Sequence, residues 1–169
     1  MKLLKISTLA FLFLAFHSCD KLDELTEVDV NVTETASLTA AVLQGESSFS
    51  ESITISVDDE QVQDNLDRIE SVTIKKLSYV FKNVTGNADA TLTGSMTFGM
   101  ASISFSDVNP TTVEGQVVTI TNTDVINAFA QAIKNGAEVT VVLEGTAQNA
   151  PVSVTVELTA ELEIVVDVL

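Results

Sequence analysis

Five carboxylates fall close together at Asp58, Asp59, Glu60, Asp64 and Asp67. Oxygen-rich clusters of this kind can hold calcium. The spacing differs from that of an EF-hand loop, which alternates its ligands around a central glycine. A capped helix start with a solvated face accounts for the same residues without a metal. Lys75, Lys76 and Lys82 form a second cluster, on one segment. Three ammonium groups could bind an acidic partner or pair with the protein's own acids. A carboxylate pair for glycoside hydrolysis is compatible with 24 acids. The aromatic residues that would stack on a sugar are few, and most of Phe49, Tyr79, Phe81, Phe98, Phe105 and Phe129 fall on the apolar parity of strands. Gly94 and Gly99 lie in a strand context, without the lysine or helix that a phosphate loop needs.

The elements that would position these groups are mostly strands. The stretch from Pro151 to Leu169 organises the rest. Its even positions from Val152 to Val168 are all apolar, and its odd positions from Ser153 to Glu163 are all polar. A period of two predicts a strand with one buried face. The run is long enough to bend or to serve two sheets. Strands are also predicted at 28–32, 37–43, 53–57, 71–82, 90–98, 102–106, 116–121 and 139–143. The parity of 71–82 changes between Ile74 and Leu77, which predicts a bulge near Lys75 and Lys76. Gly94 and Gly99 suggest bends or close backbone approach. Short helices are expected over Asp59–Asp67 and over Asp124–Asn135. The second is read as capped by Thr123, ended by Gly136 and apolar along Ile126, Phe129, Ala130 and Ile133. The class is mainly β: an antiparallel β-sandwich of about nine strands, its open ends closed by two short helices. A barrel around a cavity is the other closed arrangement.

The chain has 169 residues, 46% hydrophobic and 5% aromatic, with a formal charge of -16. That suits one domain whose core is Val, Ile, Leu and Ala. The acidic excess repels nucleic acid and anionic headgroups.

The N-terminus carries an address. Lys2 and Lys5 precede an apolar core, Leu9 to Phe16, that is too short to cross a bilayer. His17, Ser18 and Cys19 follow, and then Asp20, Lys21, Leu22, Asp23 and Glu24. This pattern resembles the signal of Bacteroidota-type lipoproteins. The resemblance implies a signal peptide over 1–18 and lipidation of Cys19. It also implies an acidic export tag that directs such proteins to the cell surface. An ordinary cleavage leaving a free thiol, or an uncleaved anchor, are the other readings of the segment. Residues 19–26 then form a tether. The seven residues after Cys19 reach at most about 25 Å. The domain spans 27–169.

Removal of 1–18 takes away Lys2, Lys5 and the only histidine, leaving 6 basic residues against 24 acids. With Cys19 lipidated, neither a catalytic triad, a Cys–His pair nor a histidine-ligated zinc can form. The expectation is a non-catalytic binding or structural module of the outer membrane, without cofactor or metal. Its partners are the membrane through Cys19 and an outer-membrane protein or a glycan. Binding loops are expected at one rim, at Asp107–Gly115 or Asn83–Asn87. The alternative is a carrier whose curved sheet encloses an apolar ligand.

Overall fold

The computed structural model describes residues 26–168. Its central element is the strand expected at the C-terminus, β8 (Val152–Asp167). All eight of its inward residues, from Val152 to Val166, are at most 3% exposed. The strand lies between β1 (Glu27–Val42) and β3 (Ile69–Gly86), each antiparallel to it. Pairing with β1 runs from Glu27 opposite Asp167 to Val42 opposite Val152 without a register shift. β8 therefore does not pass between sheets. Its length is matched because both neighbours are as long.

Eight strands are present among the described residues, rather than about nine. The predicted strands at 28–32 and 37–43 are one, β1. Glu34 interrupts the apolar parity of that strand, which made one strand read as two. The remaining strands are β2 (Ser48–Ser56), β4 (Thr91–Phe98), β5 (Ala101–Val108), β6 (Val117–Thr119) and β7 (Glu138–Gln148). They form two antiparallel four-stranded sheets, ordered β1-β8-β3-β6 and β2-β7-β4-β5. Every connection except β4 to β5 crosses from one sheet to the other. Eight strands wound in this way make a jelly roll, a form of β-sandwich.

The bulge expected near Lys75 and Lys76 is found: Ile74 pairs with Leu162 and Lys76 with Glu161, so Lys75 is the extra residue. β3 also continues through Asn83–Gly86, where a turn was expected. The last of three register shifts, between Lys82 and Thr85 with Asn83 at a positive φ, carries it on to pair with Ser153 and Val152.

Among the described residues, three helices accompany the sheets. α1 (Glu60–Gln63) is followed by a 3-10 turn at Leu66–Arg68. α2 (Pro110–Val113) occupies the expected loop. α3 (Thr123–Gly136) is the long one. Its cap is Asn122, not Thr123: the Asn122 Oδ1 accepts from the N–H groups of Asp124 and Val125 at 2.9 and 3.2 Å. Ala137, not Gly136, takes the left-handed turn at its end. Its buried row is Val125, Phe129 and Ile133, so Val125 joins the row read from sequence. α1 closes one end of the sandwich, with Val62 fully buried. α3 packs on β3, β5 and β7, beside the stretch where β6 covers only Ser78–Val80 of β3. It reaches the end that carries α1, where Lys134 Nζ donates to the Glu70 carbonyl and the Ala137 carbonyl accepts from Val57 N–H. Phe129 there meets Phe98 with ring centroids 6.3 Å apart.

Candidate functional site

Cys19, His17, the segment 1–18 and the tether up to residue 25 lie outside the described residues.

Within the acidic cluster, the side chain that serves the fold is Asp59. Asp59 Oδ1 accepts from the N–H of Gln61 at 2.9 Å and of Val62 at 3.3 Å, capping α1. Among the described residues no group of three or more His, Cys, Asp or Glu is placed to hold a metal.

The lysines meet the protein's own acids. On the outer face of β3 and β8, Lys75 lies 2.9 Å from Glu163, Lys76 3.6 Å from Glu161 and Lys82 2.6 Å from Glu157. The charges alternate across the two strands, so the face is a neutral ladder and not a cationic patch. Between Lys76 and Lys82 lies an open groove of about 260 Å³, floored by Ser78 and Val80 and walled by Val117 and Glu157. It sits outside the sheet. Between the sheets, Leu77, Met96, Phe98, Phe129, Leu143 and the β8 row are packed together with almost no exposure.

The loop segments expected to bind are brought together. Strand registers place the chain ends, α1 and the β4–β5 turn at one end of the body. The opposite end carries the turns after β1, β3 and β7 and the α2 segment. These are tied by side chains. Asn109 Nδ2 donates to the Ala88 carbonyl at 2.8 Å, and its Oδ1 caps α2 by accepting from Thr112 N–H. Glu114 Oε1 accepts from Val84 N–H at 3.0 Å, beside a Gly115 N–H bond to the Phe81 carbonyl. Asn149 Nδ2 donates to the Asp89 carbonyl at 3.1 Å, and Asn87 N–H donates to the Pro151 carbonyl. Three connections thus form one hydrogen-bonded rim. Asn109 and Asn149 were missed as its fasteners, because their partners are distant in sequence.

Glu34 was also missed. Burial raises its carboxyl above the usual carboxylate range. The Asp58 N–H opposes that rise, and the charges of Asp58 and Asp59 add to it. The sequence signal was available: one acid in an otherwise apolar even row.

No family model matches the chain, and no curated protein matches it. Among solved structures, it is similar to the capsid protein of BFDV in its decameric crystal form. Identity is 10%, over 82% of this chain and 98% of that one, with a TM-score of 0.39. It is also similar to Desmodium yellow mottle tymovirus, at 10% identity over 84% of each chain and a TM-score of 0.31. Likeness at these scores carries no functional argument.

Proposed function

We propose that this protein is a lipid-anchored β-sandwich of the outer membrane. In this reading it acts as a non-catalytic binding or structural module, held through a lipidated Cys19. The rim of 83–90, 107–116 and 148–151 meets the partner, an outer-membrane protein or a glycan. One observation carries the reading: the body is polar along its length. Chain ends leave from one end, joined by a Val168 N–H bond to the Thr26 carbonyl, and the tied loops sit at the other. A short tether from Cys19 then points the rim away from the lipid. Loops already fastened by Asn109, Glu114 and Asn149 have little left to order on binding, which favours recognition. The filled interior weighs against the apolar-ligand carrier, since such a ligand needs a chamber of several hundred Å³.

The test is metabolic labelling with an alkyne fatty acid, followed by protease treatment of intact cells. The native chain takes the label and Cys19→Ala does not. Surface placement makes the native chain protease-sensitive in unbroken cells. A native chain that takes no label overturns the anchor. A labelled chain that is protected until cells are broken places it on the inner side.

A further inference from the structure

The inward row of β1 reads Val28, Val30, Val32, Glu34, Ala36, Leu38, Ala40 and Val42. Its single charge sits at the middle. β1 is also the outermost strand of its sheet. Among the described residues, β8 is the one strand registered with it. A bare edge is a template for another strand unless a lysine, a proline, a bulge or an inward charge blunts it. β1 has no lysine and no proline, and its register with β8 has no bulge. Glu34 is the inward charge.

The groups around Glu34 are few. Asp58 offers its N–H, and Asp58 and Asp59 bring their carboxylates. β8 places Ala160 opposite. On β2 the residues of the inward parity are Phe49, Glu51, Ile53 and Ile55; Glu51 is exposed and adds one more acid on that face. No cation is among these groups.

We propose that the outer edge of β1 is a pairing surface for β1 of a second copy of this chain, closed by the charge on Glu34. The strand is complementary to itself. An antiparallel pair centred on Thr35 sets Thr33 against Ser37 and Asn31 against Thr39 on the outer face. On the inner face Val32 meets Leu38, and Val30 meets Ala40. Asp29 then meets Ala41 and Glu34 meets Ala36, so no acid stands directly opposite an acid. Threonine and apolar pairs of this kind stabilise a sheet. The two Glu34 side chains become diagonal neighbours, roughly 7–8 Å apart. The added strand takes water from both. Two ionised carboxylates there oppose closure, and uncharged side chains do not.

The test uses the full chain in mild detergent, with Cys19→Ala and Thr35→Cys so that the reporter thiol stands alone. With Glu34 in place the chain is monomeric by light scattering at neutral pH and gives no covalent dimer on oxidation. Adding E34Q or E34V shifts it to a dimer that cross-links through the reporter. Moving the reporter to Thr54→Cys on β2 abolishes the cross-link. Monomers throughout with E34Q and E34V overturn the proposal. So does equal cross-linking from Thr54→Cys, or a neutral-pH dimer that forms with Glu34 intact.

Discussion

Gly94 and Gly145 stand directly opposite each other in the register of β4 and β7. A Cβ on Gly94 would run into the Glu144 carbonyl, and a Cβ on Gly145 into the Thr93 carbonyl, with Phe49 Cζ 2.9 Å away. The two backbones approach so closely that only hydrogen fits. Gly145→Ala must push the strands apart or displace Phe49, which is buried in the core. The expected cost is about 1–3 kcal/mol. Urea unfolding should show a lower midpoint with an unchanged slope. A midpoint equal to that of the native chain would mean the sheet yields freely at this point.

Val156 is fully buried in the central strand and lies between Leu38 of β1 and Phe81 of β3. Val156→Asp places a carboxylate where no partner is available. The loss should be several kcal/mol, about 3 or more, enough to unfold much of the population. Circular dichroism and thermal melting report it. Melting like that of the native chain would contradict the inward parity of β8.

Glu34 gives a pH dependence whose sign is fixed by its surroundings. Its carboxyl is raised first by burial and then by Asp58 and Asp59, against the Asp58 N–H. The folded state therefore holds the proton to higher pH than the unfolded chain does. The associated stability is present below the ordinary carboxylate pKa and is lost as pH rises through the folded value. Glu34→Gln removes that loss. The variant should melt above the native chain at neutral pH, and the two should converge in acid. Paired melting curves from about pH 4 to about pH 8 test this. A constant gap across that range would show that the Glu34 carboxyl titrates alike in the folded and unfolded states.

Lys82 and Glu157 make the shortest ion pair of the outer ladder, at 2.6 Å, with the lysine side chain 44% exposed. Exposed pairs of this kind contribute about 0.2–1 kcal/mol. Lys82→Met should therefore leave melting almost unchanged, and molar salt should shrink the difference further. A large loss would show that the groove beside it depends on the ammonium group.

The sandwich was legible because its long strands keep strict parity. Val152 to Val166 could be assigned to one face from spacing alone, and the Lys75 bulge followed from the parity change between Ile74 and Leu77. Local reading failed where one residue broke the pattern for a reason outside the strand. Glu34 made β1 read as two strands. Asn122 took the cap expected of Thr123, and Ala137 the turn expected of Gly136, choices settled by packing of Val125 and by the Val57 N–H bond to the Ala137 carbonyl. The rim was only half visible. Asn83–Asn87 and Asp107–Gly115 read as loops from composition, but the fastening by Asn109 and Asn149 joins residues far apart in sequence. Such pairs carry no periodic signal.

The pairing of Glu27 with Asp167 has a consequence for how the molecule is made. The first strand finds its partner in the last, and β3 also waits for that strand. Closing so long a stretch of chain costs entropy before any contact repays it. One half of the body consequently has no template until Val152–Asp167 emerges. A polypeptide with that order of assembly keeps its first strand unpaired until its last is available.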